Sequence, residues 1–319
     1  MLSRHYLRCK VLQTVYCGRY EETDNISLSK MFEYHIGRLN ELGVLQVSLL
    51  PLLAEVAGQI LEESKNKFLA TEEDLNPSFR LVNNEFIRRM ADNFELKKHI
   101  ANWCGCWNTH ENLLREAFLD LRRRDEYKAY LDREPSYEND KEFAVLIFRY
   151  LMNREALTAV MGERSLLWED DFFQIAQYNF MMLKAIDAQE FDEAMMWPLM
   201  YDRRVEKDEE DMNFARQLLR DTLACRQDAE DLTRQYLQGW EFERVSRMDI
   251  VLINMAVAEL TCCPSIPERV TIDEYIELSK EFSSDRSRLF INGILDKMVL
   301  ELRSQGKINK SGRGLTVYE

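Results

Sequence analysis

The chain has few of the residues that interrupt helices. Its 319 residues contain only 11 glycines and 6 prolines. This scarcity favours long helices, and it argues against an all-β fold and against a glycine-rich nucleotide-binding fold. The sequence therefore predicts an all-α protein of one large or two medium domains.

We expect neither a membrane span nor a secretion signal in this sequence. The most apolar stretch, residues 42–57, contains Gln46 and Glu55, so we interpret it as buried core rather than a membrane span. Arg4 and Arg8 interrupt the apolar pattern at the start of the chain, which argues against a signal peptide. The seven cysteines lack the spacing of a disulfide framework, and reduced thiols in the cytoplasm fit them best.

One local group of possible zinc ligands has to be weighed. His99, Cys104, Cys106 and His110 lie close together in the sequence, but Cys-Gly-Cys is not the usual Cys-x-x-Cys zinc knuckle. Buried thiols beside a connection between helices explain the group better than a metal ion does. We therefore predict no metal and no cofactor.

Positive charge is in deficit overall, yet both ends of the chain are basic. With 42 Lys and Arg against 56 Asp and Glu, the formal net charge is −14. This balance argues against a protein surrounded by nucleic acid, but it is compatible with one basic face. Solvated termini with incidental positive charge are the competing interpretation. The basic residues of the two ends are Arg4, His5, Arg8, Lys10, Arg19, Arg303, Lys307, Lys310 and Arg313.

The spacing of apolar residues predicts helices along most of the chain. Residues 4–17 place an apolar stripe on one helix face. Residues 28–65 have the pattern of two helices broken near Gly43 or Pro51. Residues 250–260 are apolar on nearly all sides, so we expect their helix to be central and buried.

Further signals mark the last two helices. Thr271 and Glu274 have the spacing of a capping box at a helix start. Ser283 or Ser284 is a suitable cap for the last helix. Gly293 lies in the middle of that helix, where it costs about 1 kcal/mol relative to alanine. A glycine there suggests that a neighbouring helix approaches closely.

Two stretches resemble each other and suggest an internal duplication. Residues 143–168 and 214–240 both run from a phenylalanine to a tryptophan, and each is followed by an apolar helical pattern. A duplicated helical hairpin explains the match. Independent helix patterning explains a match this short equally well.

The C-terminal sequence resembles a known family. The stretch RVTIDEYIELSKEFSSDRSRLFINGILDKM, residues 269–298, resembles the C-terminal signature of NusB-type transcription antitermination proteins. WEFERVSRMDIVLINMAVAEL, residues 240–260, and RHYLRCKVLQTVY, residues 4–16, are similar to two further blocks of that family. The matching positions of the signature are Ile272, Glu274, Glu277, Leu278, Lys280, Phe282, Phe290, Ile291, Asn292, Gly293, Ile294, Leu295, Asp296 and Lys297.

The resemblance implies an all-α, NusB-like helical bundle with a large inserted helical region. Residues 1–20 match its first helix, and residues 205–302 match its main domain. Residues 21–204 are then the insertion, in which a second hairpin copy would lie near residues 142–187. Residues 303–319 remain as a basic flexible tail.

The resemblance also implies a function. NusB-type proteins are not enzymes; they act in the cytoplasm on transcription. They bind a short single-stranded RNA element, boxA, together with a small-subunit ribosomal protein that acts as NusE. The assembly joins the RNA polymerase elongation complex and promotes transcription of rRNA operons.

Candidate site residues follow from this reading. Single-stranded RNA needs cations for its phosphates and flat groups for its bases. We expect RNA contacts from Arg4, His5, Arg8, Lys10, Arg286, Arg288 and Phe290, and contacts to the ribosomal protein from Gln13, Tyr16 and Glu230. The family commonly has other residues at the positions of Ser283, Arg286, Arg288 and Leu289, so this chain departs from the pattern there.

Two rival functions remain open at this point. A helical protein–protein adaptor without RNA binding would need none of the basic residues. An rRNA methyltransferase with a NusB-like domain would need a strand followed by a glycine-rich turn. The only Gly-x-Gly, residues 312–314, lies in the tail without that context.

Overall fold

The structure is a computed structural model that describes residues 2–21, 23–165, 168–193, 200–237 and 242–311. Helices dominate these residues, and none of them is in a strand. The predicted all-α class is therefore confirmed. Trp240 of the proposed duplication, the Gly-x-Gly at 312–314 and Arg313 of the basic tail lie outside the described residues.

The α-helices are numbered in chain order. They are α1 Arg4–Glu21, α2 Asn25–Ser64, α3 Glu72–Leu75, α4 Glu85–Asp92, α5 Phe94–Trp103, α6 Glu111–Leu121, α7 Asp125–Asp132, α8 Tyr137–Met152, α9 Glu155–Gly162, α10 Phe172–Ala185, α11 Ala188–Glu193, α12 Glu206–Ala224, α13 Arg226–Tyr236, α14 Arg247–Cys262, α15 Glu268–Phe282 and α16 Asp285–Ser304. Short 3₁₀ helices cover Gly105–Thr109 and Phe242–Arg244.

The chain forms two compact units. The first combines Met1–Ile36 with Tyr201–Glu319, and the second is Gly37–Met200. The second unit lies within the predicted insertion, residues 21–204, and is shorter than it at both ends. The proposed duplication stays a prediction. Helices α8–α10 and α12–α14 share an order of long, short and long helices, but helical proteins reach that order without duplication.

The first unit is built around α14. This helix packs against α1, α12, α13, α15 and α16. Every residue from Asp249 to Leu260 is buried. A helix that is apolar on all sides can bury itself only when neighbours surround it, so the prediction of a central helix is confirmed.

The second unit has its own core around α8, which packs against α4, α9 and α10. The rings of Tyr130 and Phe143 stack with centroids 3.9 Å apart. Asn84 donates hydrogen bonds to the Tyr130 hydroxyl and to the backbone carbonyl of Asp140. The buried Asn84 amide and Tyr130 hydroxyl are thus paired beside the aromatic core of this unit.

Helix α2 corrects one prediction, because residues 28–65 do not contain a break. The helix runs for 40 residues with Pro51 inside it. An internal proline costs about 3 kcal/mol, and burial of Leu49, Leu50 and Leu53 offsets that cost. The helix is long and apolar enough to span a membrane. However, 72% of its most apolar 18-residue window is buried inside the protein, as in a core helix.

Gly293 corrects a second prediction. It lies on the exposed side of α16, and a Cβ added there would meet no atom within 4 Å. Close helix approach occurs instead at Gly18 of α1, where an added Cβ would lie 2.3 Å from Leu28 Cδ2. Sequence position alone did not distinguish a glycine under a neighbour from one facing solvent.

The C-terminal segment is partly docked. The Lys310 ammonium donates to the backbone carbonyls of Glu259 and Cys263 at 3.0 and 2.9 Å. The Ser311 N–H donates to the Pro264 carbonyl. These bonds satisfy carbonyls at the end of α14. This part of the predicted flexible tail is therefore held on the first unit.

Candidate nucleic-acid interface

Arg8 is a buried structural cation rather than a surface one. Its guanidinium makes two hydrogen bonds of 2.8 Å to the Glu259 carboxylate, and both side chains are almost fully buried. A paired fork of this kind is the strong form of an Arg–carboxylate contact. Burial acts to lower the pKa of Arg8, but the bonds to Glu259 outweigh it and raise the pKa.

The Glu259 carboxylate also accepts from Thr271 Oγ1 at 2.9 Å and from the Tyr275 hydroxyl at 3.2 Å. Burial, and then the charge of Glu259, raise the pKa of Tyr275 well above its ordinary value. The capping box predicted for Thr271 is wrong. Helix α15 begins at Glu268, one turn earlier, and Thr271 supports the buried carboxylate instead.

Lys10 is likewise buried, with 3% of its surface exposed. Its ammonium donates to Gln13 Oε1 at 2.8 Å and lies 5.2 Å from the centre of the Tyr6 ring. Gln13 and Tyr16 are half-buried on the same helix. Arg8 and Lys10 are therefore buried, and their contacts hold α1 in place.

Arg4 is partly exposed and engaged by acids of α12. Its Nε lies 2.7 Å from Asp211 Oδ1, and a terminal nitrogen lies 3.5 Å from Glu210. The Phe214 ring contacts the guanidinium at 5.1 Å, and it contacts Arg8 at 5.0 Å. The acidic run at 206–211 thus forms the first turns of α12 and neutralises part of the basic end.

His5 lies between two carboxylates of α15. Its Nδ1 is 2.8 Å from Glu274 Oε2, and its Nε2 is 3.0 Å from Glu281 Oε1. Burial acts to lower the pKa of His5, but the hydrogen bonds to Glu274 and Glu281 outweigh it, and the pKa is raised. Cys9, one turn along α1, has its Sγ 3.9 Å from the second oxygen of Glu281.

The start of α16 presents a different kind of basic group. Ser284 caps the helix by accepting from the Ser287 N–H at 3.3 Å, as predicted. Arg286 is exposed, and Arg288 and Phe290 are half-exposed. Within the described part of the chain, neither arginine has a carboxylate partner. Arg286 therefore offers an exposed charge, and Arg288 offers a half-exposed one.

Helix α15 lies between the basic residues of α1 and those at the start of α16. His5 contacts Glu281 in the last turn of α15, four residues before α16 begins. Ser283, in the joint between these helices, donates to Asp249 of α14 at 2.6 Å. The start of α16 is therefore fixed to α14 on one side and lies next to the α15 turn that α1 contacts.

The predicted partner contact Glu230 is mostly buried. It is 7% exposed, and Arg226 Nε donates to its carboxylate at 3.1 Å. Its neighbour Asp231 is exposed and is bonded by Gln227 and Arg234. Any acidic partner surface on α13 would consist of Asp231 more than of Glu230.

Sequence reasoning missed the carboxylates that organise the basic end, because it considered the cations alone. Glu259 is the one residue of this group that carried a signal. It is the one acid in the apolar stretch of residues 250–260, and a buried carboxylate requires a paired cation. Glu274 and Glu281 gave no such signal, since acids on an amphipathic helix are usually solvated.

A model of the NusB family matches residues 172–300. The transcription antitermination protein NusB of Salinibacter ruber is 37% identical over 111 residues, which are 35% of this chain and 69% of that protein. The chain belongs to the NusB family. The NusB protein of Chloroherpeton thalassium is 39% identical over 89 residues, which are 28% of this chain and 42% of that protein. No solved structure matches the chain.

Membership in the NusB family gives the chain a role in transcription antitermination. NusB proteins are soluble transcription factors and not enzymes. The matched range contains α12–α15 and most of α16, and it begins at α10 in the second unit. Helix α1, with its buried Arg8, lies outside that range.

Proposed function

We propose that this NusB protein binds a boxA-like single-stranded RNA together with the small-subunit ribosomal protein that acts as NusE. In this proposal the assembly acts on the RNA polymerase elongation complex in the cytoplasm and promotes transcription of rRNA operons. Membership in the family supports the antitermination role, and the start of α16 supports the RNA contact.

The observation that carries the RNA proposal is the position of Arg286 and Arg288. Both lie in the first two turns of α16, where the positive end of the helix dipole disfavours cations. Neither arginine forms an ion pair with a carboxylate of the described residues, although Asp285 lies in the same helix turn. Residues that are unfavourable for stability and exposed are best explained by a ligand, and a helix start with arginines attracts phosphate.

The remaining candidates have graded roles in this proposal. Phe290 is half-exposed beside the arginines and offers a ring on which a base can stack. His5 contacts the last turn of α15, and Arg4 precedes it on α1, but an RNA phosphate would compete with the carboxylates that bind these two residues. Arg8 and Lys10 act indirectly, by fixing α1.

The ribosomal protein is assigned to α1 and α13 in this proposal. Gln13 and Tyr16 are half-buried on α1, and acids of α13 complement a basic partner. Because Glu230 is buried against Arg226, we expect its contribution to be the orientation of that arginine. Asp231 would then supply the exposed charge.

Binding of a fluorescently labelled boxA-like RNA tests the proposal. Arg286→Glu should weaken binding about tenfold and reduce the salt dependence of log K by about 0.7 for the lost phosphate contact. Lys297→Glu is the matched control, because Lys297 is an exposed cation of the same helix, three turns away. Arg8→Glu is unsuitable, since it would place a second buried acid against Glu259.

The helical adaptor without RNA binding is the alternative. The engagement of Arg4, His5 and Arg8 by carboxylates favours it, because those cations are already neutralised within the chain. Equal RNA affinities of the Arg286 and Lys297 variants would reject RNA contact at α16. Absence of RNA binding by the unaltered chain, with and without the ribosomal protein, would establish the adaptor.

A further inference from the structure

The contact between His5 and α15 also brings together side chains that can bind a metal ion. Among the described residues, the side chains of His5, Cys9 and Glu281 form a group whose ligand atoms all lie within 4.8 Å of one another. His5 and Cys9 are one turn apart on α1, so both project from the same face of that helix. Glu281 reaches them from the last turn of α15.

The geometry of this group is close to that of a tetrahedral metal centre. Bonds from Zn²⁺ to nitrogen, oxygen and sulfur of 2.0–2.3 Å place neighbouring ligand atoms about 3.3–3.7 Å apart. The distance from His5 Nε2 to Glu281 Oε1 is 3.0 Å, and that from Cys9 Sγ to Glu281 Oε2 is 3.9 Å. All the ligand atoms of the group lie within 4.8 Å of one another, so side-chain shifts of up to about 1 Å would bring an atom of each residue onto one ion.

The second carboxylate orients the imidazole for this role. Glu274 lies 2.8 Å from His5 Nδ1, so it can hold the Nδ1–H tautomer and direct the Nε2 lone pair toward Glu281 and Cys9. A carboxylate behind a histidine is the usual outer partner of a histidine that binds zinc. A lone pair facing a carboxylate requires a cation between them, which is either a proton or a metal ion.

The site is open to solvent on one side. The side chains of His5 and Glu281 are 33% and 51% exposed, whereas Cys9 is buried. An ion can therefore enter, and a water molecule can complete the coordination. The imidazole, thiolate and carboxylate donors together suit Zn²⁺ better than Mg²⁺ or Ca²⁺, which prefer oxygen alone.

We propose that His5, Cys9 and Glu281 bind one Zn²⁺ ion, with Glu274 as the residue that orients His5. Binding replaces the proton between His5 and Glu281 and the proton of the Cys9 thiol, so two protons leave as one ion binds. The ion cross-links α1 to α15 at the end of the bundle next to the start of α16. The proposal is independent of RNA binding.

Zinc binding by the full chain tests this inference. The reduced protein is dialysed against Zn²⁺, and bound zinc per chain is measured together with affinity against a chromophoric chelator. We expect one ion that is lost in Cys9→Ser and in Glu281→Gln. Glu274→Gln should keep the ion but bind it about tenfold to a hundredfold more weakly.

Matched variants control for the other thiols and acids. Cys17→Ser removes an exposed cysteine of the same helix, and Glu277→Gln removes an acid one turn before Glu281; both should keep the ion. Glu281→Gln changes an exposed side chain, so loss of zinc there does not reflect unfolding, and circular dichroism verifies this. Absence of bound zinc, or its retention in both Cys9→Ser and Glu281→Gln, would overturn the proposal and leave an ion pair.

Discussion

The starts of α1 and α16 carry similar cations in different surroundings. Arg4 and His5 open α1, and Arg286 and Arg288 open α16, so all four lie where the helix dipole opposes positive charge. At α1 the acids of α12 and α15 compensate the charge. At α16 no described acid pairs with either arginine.

This difference in pairing distinguishes cations that stabilise the fold from cations that are free to bind a ligand. A buried pair such as Arg8–Glu259 loses hydration, and it persists because each ion satisfies the other. An exposed cation with no partner keeps its hydration and remains available to phosphate. Basic residues of α1 therefore stabilise the fold, whereas those at the start of α16 are available to a ligand. The following substitutions measure this difference as changes in the free energy of unfolding.

The largest effect is expected at Arg8. Arg8→Met leaves the buried Glu259 carboxylate without its cation, so the free energy of unfolding should fall by about 3–5 kcal/mol. Urea unfolding of the full chain measures it. Arg8→Met combined with Glu259→Leu should recover part of the loss. A fall below about 1 kcal/mol in the single variant would mean that solvent screens this pair.

A change in stability of intermediate size is expected on substitution of Gly18 in α1 and of Gly293 in α16. Gly18→Ala in α1 forces a methyl group against Leu28 and should destabilise the protein by about 1–3 kcal/mol. Gly293→Ala in α16 meets no neighbour and should stabilise it by about 0.5–1 kcal/mol. Thermal and urea unfolding compare the two. The same sign for both substitutions would contradict the assigned packing.

The smallest effect is expected at the arginines of α16. Arg286→Gln and Arg288→Gln remove charge from a helix start without breaking an ion pair, so stability should stay within about 0.5 kcal/mol of the unaltered chain. Urea unfolding at low and high salt measures this. A loss above 1 kcal/mol would show that these residues are structural, as Arg8 is, and would weaken the RNA proposal.

Predictions from the sequence succeeded where local pattern decides structure. The stripe of Leu7, Val11, Leu12 and Val15 predicted α1, and Ser284 predicted the cap of α16. They failed where distant residues decide. Pro51 does not break α2, because burial around it outweighs the cost of a missing hydrogen bond.

The candidate site shows the same division. Sequence identified the cations and the family to which they belong, but a cation's exposure depends on the groups that fold against it. Arg8 and Arg288 are each an arginine near a helix start, and nothing local tells which one finds a buried carboxylate. Glu259 decides this, about 250 positions away from Arg8.

The amino-acid sequence by itself determined the helical class, the central position of α14 and the NusB family, because apolar spacing and short motifs are local properties of the chain. Only the tertiary structure decided which cations are neutralised, which glycine lies under a neighbour, and that His5, Cys9 and Glu281 meet. The physical reason is that charge compensation and close packing depend on distances between residues far apart in the chain, which folding alone sets.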